Sequence, residues 1–273
     1  MNKNQQTIIR PKKSLGQHFL KDANTIDKII RACNLQPSDN VLEIGPGLGA
    51  LTEKIAPSVK TLYAVEKDRN LYSHLCENIS RPNTTFDNQD FLAFNFLRVP
   101  SPVKVIGNLP YNISSPIIEK LIENRRRISK IFITVQLEFG KRLDANIGTK
   151  DYSALTCAIQ YYANAKILFK IKNTCFFPAP KVESCFIQLD FKNDIDLKAK
   201  AEKIFLSLVR GAFQQRRKQI KNALASFAKQ CNIKELLESL SINPESRAEN
   251  LSVADFVKIS NTLFLKSQNE QTS

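Results

Sequence analysis

The chain has 273 residues, 40 Lys and Arg against 26 Asp and Glu, and a formal net charge of +14. At 42% apolar residues it can bury the core of one large domain, or of a large and a small one, and no apolar run is long enough to span a membrane. Six cysteines without a C-x-x-C pair and two histidines offer neither a disulfide framework nor a zinc cluster, so free thiols in a reducing cytosol are expected, and the positive balance points to a polyanion, nucleic acid foremost.

The stretch from Met1 to Lys13 carries Lys3, Arg10, Lys12 and Lys13 and no apolar run long enough for a secretory signal. A helix is expected over roughly Asn24 to Cys33. Asp39 to Gly45 follows as a buried strand, an apolar run that ends in glycine. Thr61 to Glu66, Val103 to Gly107 and Ile128 to Val135 are similar short runs rich in β-formers. The segments Leu51 to Ile55, Asp68 to Ile79 and Ser115 to Glu123 read as helices between them. Asp68 suits an N-cap, and Ser115 puts a capping oxygen just before Pro116 in a first turn. Such alternation builds an α/β fold, a mostly parallel, doubly wound sheet covered on both faces. Ala165 to Ile171 and Ser184 to Phe191 read as two further strands, with Pro178-Ala179-Pro180 in their connection.

After Phe191 the pattern changes. Lys192 to Asp196 is polar, and Phe205, Leu208, Val209, Ala212 and Phe213 then form an amphipathic helical stripe. Ile233 to Leu240 and Val253 to Leu265 read as two more helices, with Ser252 before Val253 as a helix start. The expected organisation is a larger domain over residues 1–194 and a small all-helical domain over 195–273, with a polar tail from Lys266. Basic residues cluster: Lys203 to Lys234 holds eight Lys or Arg and no acid, and Asn164 to Val182 holds four lysines and no acid. Together with the basic N-terminus these stretches suit a phosphate backbone. At about 100° per residue, Arg210, Arg217 and Lys221 fall within about 40° of one another if one helix carries all of them.

The first strand runs into E-I-G-P-G-L-G-A, where Gly45, Gly47 and Gly49 let the backbone turn sharply and a ligand approach without a Cβ in the way. Gly45, Gly47 and Ala50 also satisfy the dinucleotide pattern, so the loop alone does not separate a nicotinamide cofactor from S-adenosylmethionine. Glu66 ends the second strand, where an acid can accept from both hydroxyls of a ribose, and Asp90, after a presumed third strand, can accept from an adenine amino group. Gly107-Asn108-Leu109-Pro110-Tyr111-Asn112 closes the fourth strand. An adenine amino group is a poor nucleophile because its lone pair is delocalised into the ring. The Asn108 side-chain oxygen and the Leu109 carbonyl can bind its two N–H groups and turn the lone pair toward a sulfonium methyl. Pro110 stiffens the turn, and Tyr111 offers a flat face to a flipped base.

In these motifs the chain resembles the ribosomal RNA adenine dimethyltransferases, and the resemblance covers nearly its whole length. It runs through K-K-S-L-G-Q-H-F-L (12–20), L-E-I-G-P-G-L-G-A-L-T (42–52), G-N-L-P-Y-N-I-S (107–114), F-F-P-A-P-K-V-E-S (176–184), F-Q-Q-R-R-K-Q-I-K-N (213–222) and R-A-E-N-L-S (247–252). The resemblance implies a Rossmann-like class I methyltransferase domain followed by an RNA-binding helical one. It implies S-adenosylmethionine as cofactor, contacted by His18, Leu20, Gly45, Glu66, Asp90 and Asn108, and no metal. Asn108, Leu109, Pro110 and Tyr111 would act on the target base, with Phe176 as a second aromatic wall and Phe177 beside it as the alternative. Arg210, Arg217 and Lys221 would grip RNA. The implied substrate is a pair of adjacent adenines in the 3′-terminal hairpin of small-subunit rRNA, each methylated twice on N6 within a partly assembled subunit, by a cytoplasmic monomer. Many relatives carry Asn where this chain has His18, and an imidazole there would add a pH dependence near neutrality. Three other readings share features with this one: a large-subunit rRNA adenine methyltransferase of the macrolide-resistance type, a nicotinamide-dependent oxidoreductase, and an RNA-binding module with a vestigial pocket.

Overall fold

The runs rich in β-formers assemble into one sheet, and the helical stretches connect them. In this computed structural model, residues 10–192, 198–227 and 231–269 are described. They form two compact units: one runs to Gly140 and resumes over Lys166–Phe191, and the other holds Lys141–Ala165 and the chain from Lys192 on. The expected boundary near residue 194 lies close to the second of these divisions, and residues 141–165 group with the C-terminal part as well.

In chain order the elements are β1 (Phe19–Leu20), α1 (Ala23–Cys33), β2 (Asn40–Ile44), α2 (Thr52–Ile55), β3 (Thr61–Glu66), α3 (Arg69–Asn78), β4 (Thr84–Asn88), β5 (Val103–Asn108), α4 (Ser114–Glu123), β6 (Ile128–Gln136), α5 (Leu137–Leu143), α6 (Ala154–Tyr162), β7 (Ala163–Ile171), β8 (Phe176–Phe177) and β9 (Ser184–Phe191). They are followed by α7 (Glu202–Gln214), α8 (Ile220–Ala223), α9 (Ile233–Ser239) and α10 (Val253–Asn269).

The main sheet has the strand order β4-β3-β2-β5-β6-β9-β7. From β4 to β6 every pairing is parallel, and β9 runs antiparallel to β6. The chain leaves β2 toward β3 on one side and returns at β5 on the other, so β2 and β5 flank a topological switch point. Loops leaving their carboxyl ends diverge there and open a crevice. Ile44 and Gly107 are register partners at that point. A Cβ on Gly107 would sit 2.8 Å from the Ile44 carbonyl oxygen, so glycine is required for the two strands to close.

Capping follows the sequence at Asp68, whose carboxylate accepts from the Asn70 N–H at 3.0 Å. It departs at Ser115: a single 3₁₀ turn over Tyr111–Ile113 leads straight into α4, which begins at Ser114, so Ser115 lies inside the helix. A second, two-stranded ribbon pairs β1 with β8, setting Phe19 opposite Phe177 and Leu20 opposite Phe176.

In the C-terminal unit, Phe205, Leu208, Val209 and Ala212 are buried along α7, as the stripe requires. The helix α6 packs on it, with the Tyr161 ring 4.6 Å from Phe205 and the Tyr162 hydroxyl donating to Glu202 at 3.0 Å. Ser252 and Asp255 cap α10 reciprocally, each backbone N–H donating to the other's side chain. The tail expected from Lys266 is helical to Asn269, and residues 270–273 lie outside the described residues, as do most of the polar stretch after Lys192 and the chain before Arg10.

The ribbon also corrects the reading of Phe176. Its side chain is 1% exposed and sits in the core with Leu20, Ile171 and Phe186, whereas Phe177 is 58% exposed. Successive strand residues face opposite ways, so only one of the two can face solvent. Phe176→Ala is expected to cost about 3–5 kcal/mol in urea denaturation, and Phe177→Ala within about 0.5 kcal/mol. Equal effects would contradict this placement.

Candidate active site

The carboxyl ends of β2, β3, β4 and β5 and the N-terminal arm surround one pocket, walled by Ser14 to Phe19 on one side and by Gly45, Gly47, Glu66, Asp90 and Asn108 to Ile113 on the others. Gly45 and Gly47 both adopt left-handed φ, +64° and +61°. A side chain at either is strained in that conformation. The Gly47 N–H donates to the Glu66 carboxylate at 3.1 Å, and the Asp68 N–H donates to its other oxygen at 2.8 Å. These bonds tie the glycine loop to the end of β3 and fix the Glu66 carboxylate at the pocket wall. Burial pushes the Glu66 carboxyl up, and the two backbone donors offset part of that rise.

Asp90 faces the same pocket from the end of β4. Lys67 donates to it at 2.7 Å and the Leu92 N–H at 2.9 Å. The lysine bond leads in holding this carboxyl below its usual range, against a smaller opposing effect of burial. Beneath the glycine loop lies a third carboxyl that the sequence reading left without a role. Glu43 is 1% exposed and accepts from the Thr52 hydroxyl at 2.8 Å. Burial pushes it up to about 8 despite that bond, with the neighbouring Glu66 adding to the rise. Glu43 and Leu20 line a small recess that shares Gly45, Gly47 and Asn108 with the main pocket. Leu20 itself is buried there and does not line the main pocket.

At the end of β5 the Asn108 amide is oriented. Its Nδ2 donates to the His18 carbonyl at 2.8 Å, which leaves Oδ1 as an acceptor. The Leu109 N–H donates to the Thr134 carbonyl at 3.1 Å, and the leucine side chain is buried, so the turn is anchored to β6. Pro110 passes the chain into the 3₁₀ turn that starts at Tyr111. The Tyr111 ring stacks against His18 with centroids 5.5 Å apart, and its hydroxyl bonds the buried Ser184 at 2.5 Å. His18 Nδ1 lies 2.6 Å from the Pro178 carbonyl, an acceptor, so that nitrogen carries the hydrogen. Of the expected residues, His18, Gly45, Glu66, Asp90, Asn108, Leu109, Pro110 and Tyr111 meet around one pocket, and Leu20 adjoins it. Phe176 and Phe177 do not line it.

Gln17 lines the pocket, and Lys12 and Asp68 brace it from behind; the sequence marks Asp68 only as a helix cap and Lys12 only as part of a basic stretch. Lys12 and Gln17 donate to the two Asp68 oxygens at 2.7 and 3.1 Å. Burial raises the Asp68 carboxyl, but these bonds and the capping N–H outweigh it and hold the group below its usual range. Their signal was present in K-K-S-L-G-Q, but a bond across 51 to 56 residues of chain leaves no local pattern.

The basic residues of the C-terminal unit are not on one helix. The helix α7 ends at Gln214, Arg217 stands in the turn beyond it, and Lys221 lies on α8, where it pairs with Glu245. Arg210 and Arg217 are exposed. Arg216 is instead an internal clamp, donating to Glu249 at 2.5 Å and to the Lys150 carbonyl at 2.9 Å. Among the described residues, no cluster of His, Cys, Asp and Glu could hold a metal ion, and no helix is long and apolar enough to cross a membrane.

A family model described as ribosomal RNA adenine dimethylase matches residues 8–264 of the chain. The chain is 40% identical over 266 residues to ribosomal RNA small subunit methyltransferase A of Moorella thermoacetica, covering 93% of this chain and 92% of that one. Its structure is similar to that of a dimethyladenosine transferase from Plasmodium falciparum, with TM-score 0.79, 28% identity, and 93% and 98% of the two chains covered. It is also similar to that of the 23S rRNA methyltransferase ErmE, with TM-score 0.71, 27% identity, and 90% and 99% covered.

The buried Glu43 has a consequence for stability. A carboxyl raised from 4.5 to about 8 in the folded chain binds its proton more tightly there than in the unfolded chain. Its contribution is complete below the unfolded value and is lost as pH rises through the folded one. Glu43→Gln is expected to flatten the fall in Tm between about pH 5 and pH 8. A pH series of thermal melts with the same slope in both proteins would contradict a neutral Glu43.

Proposed function

The chain belongs to the ribosomal RNA adenine dimethylase family, and from that premise we propose that it dimethylates N6 of two adjacent adenines in the 3′-terminal hairpin of small-subunit rRNA, with S-adenosylmethionine as methyl donor. The observation that carries the mechanism is the fixed Asn108 amide, whose Nδ2 is committed to the His18 carbonyl. Its Oδ1 and the Leu109 carbonyl accept from the target amino group and turn its lone pair out of the ring plane. That interaction is strongest as the amino nitrogen becomes a nucleophile, so it acts on the barrier rather than on binding. No side chain has to serve as a strong base, because an alkylated ammonium on adenine is acidic. Tyr111, clamped by His18 and Ser184, presents its ring to the flipped base without having to be ordered on binding.

The pocket suits the cofactor by the chemistry of its groups. Glu66 supplies acceptor oxygens for a vicinal diol, Asp90 supplies one for an amino group, and Gly45 and Gly47 bring the backbone close without side chains. When bound, S-adenosylmethionine supplies an electrophilic methyl group on a sulfonium. His18 serves the site through its carbonyl and through the Tyr111 stack, and Leu20 through the recess under the glycine loop.

Arg210 and Arg217 hold RNA phosphates from the C-terminal unit, and Lys221 contributes less because Glu245 already pairs with it. The substrate is a partly assembled small subunit in the cytoplasm, met by one copy of the chain; so basic a surface would bind many naked RNAs. The 40% identity to a small-subunit enzyme over most of the chain supports this target above the large subunit.

Incubating small subunits from cells lacking the modification with the protein and S-adenosylmethionine should yield N6,N6-dimethyladenosine at two adjacent positions, read by mass spectrometry. Methylation confined to large-subunit RNA would overturn the target. Asn108→Ala should lower turnover about 100-fold or more while leaving RNA affinity within about twofold. Equal losses in both would make Asn108 a structural residue. Arg217→Ala should reduce the slope of log affinity against log salt by about 1, and Lys221→Ala by less. An unchanged slope for Arg217→Ala would remove it from the RNA surface.

A further inference from the structure

We propose that Asp68 is a positioning residue of the cofactor site: by holding Lys12 and Gln17 it fixes the N-terminal arm as the wall that retains S-adenosylmethionine. The proposal rests on the reading of the pocket given above. Residues Ser14 to Phe19 form one side of that pocket. At its far end the arm is secured to the sheet side by the two-residue β1–β8 ribbon, by the His18 carbonyl on Asn108 and by the imidazole on Pro178. Its near end is secured at Asp68, through Lys12 at 2.7 Å and Gln17 at 3.1 Å. Gln17 in turn accepts from the Lys12 N–H at 2.7 Å, which closes the arm into a loop over residues 12–17.

The chemistry makes this a firm attachment. The Asp68 side chain is 2% exposed, and a buried carboxylate is costly to leave without partners. Opening the arm would strip two donors from it and leave the capping Asn70 N–H. The same residue also reaches the ligand side, because its own N–H donates to Glu66 at 2.8 Å. One turn after β3 therefore holds the acid assigned to the ribose and the anchor for the opposite wall. A ligand between them has to wait for the arm to release before it leaves, so Asp68 acts chiefly on the dissociation rate.

The test uses the full chain with S-adenosylmethionine alone. Lys12→Met with Gln17→Ala removes the arm's side of the attachment and leaves the helix cap and the Glu66 bond intact. Asp68→Asn keeps a capping side chain but removes the charge. In both, the dissociation constant is expected to rise about tenfold, mostly through a faster off-rate in stopped-flow displacement. Bound S-adenosylmethionine is expected to slow tryptic cleavage after Lys13 in the wild-type chain and not in the variants. Unchanged affinity and unchanged protection in the double variant would overturn the proposal while leaving the cofactor reading intact. A wild-type chain that bound no S-adenosylmethionine would overturn that reading, and this inference with it.

Discussion

The close approach of β2 and β5 is the constraint on which the site depends. Ile44 and Gly107 face one another where a Cβ would meet a carbonyl oxygen at 2.8 Å. Because those strands can close there, the glycine loop leaving β2 and the Asn108 turn leaving β5 emerge side by side at the switch point. A wider spacing would separate the backbone proposed to receive the cofactor from the acceptors proposed to orient the base. Methyl transfer needs both ends of one reacting line to be held, and effective molarity falls steeply with misplacement of about 1 Å. On the proposed mechanism the glycine would thus bear on catalysis without touching any reacting atom.

Around that seam the fold gathers four carboxyl groups, and each is kept by a different device. Glu43 is buried and pushed toward its neutral form. Glu66 is held by two backbone N–H groups, Asp68 by Lys12 and Gln17, and Asp90 by Lys67. Like charges this near would repel if all were equally solvated and ionised. Spreading their partners over the glycine loop, the arm and a lysine leaves Glu66 and Asp90 as acceptors at the pocket, while Asp68 braces the arm and Glu43 stays silent beneath. The consequence is preorganisation: the acceptors already point to their places, and binding does not have to order them.

Much of this was legible in the sequence, for identifiable reasons. Strands such as Thr61–Glu66 and Ser184–Phe191 are short apolar runs bounded by turn residues, and their ends were read to the residue. The pocket acids were legible because Glu66 ends β3 and Asp90 follows just after β4, on the edge where open α/β sheets bind ligands. The helix α6 was not, because A-L-T-C-A-I-Q-Y-Y is apolar around most of its circumference and lacks a helical period. Its place with the C-terminal unit depends on Tyr161 and Tyr162, contacts with Phe205 and Glu202 that are some 40 residues away in the chain. The alignment of Arg210, Arg217 and Lys221 on one helix does not hold for a related reason: α7 ends at Gln214, where the chain turns and Gln219 bridges to Arg247. Between Phe176 and Phe177, period two demands one inward and one outward side chain, but the register that chooses between them comes from pairing with Phe19 and Leu20.

His18 shows how a substitution at a conspicuous position can leave the chemistry in place. The orienting bond to Asn108 is made by the backbone carbonyl of residue 18, which every residue type possesses. The side chain is free to take a second task, and here the imidazole packs on Tyr111 and donates to Pro178. An asparagine side chain has no ring to stack, so the tyrosine would rely more heavily on its bond to Ser184 for its orientation. The arm is therefore packed on Tyr111, the proposed base platform, through the imidazole and tied to Asp68 beside Glu66 through Lys12 and Gln17. On the proposed reading, one segment of chain thus braces both the base side and the cofactor side of the pocket.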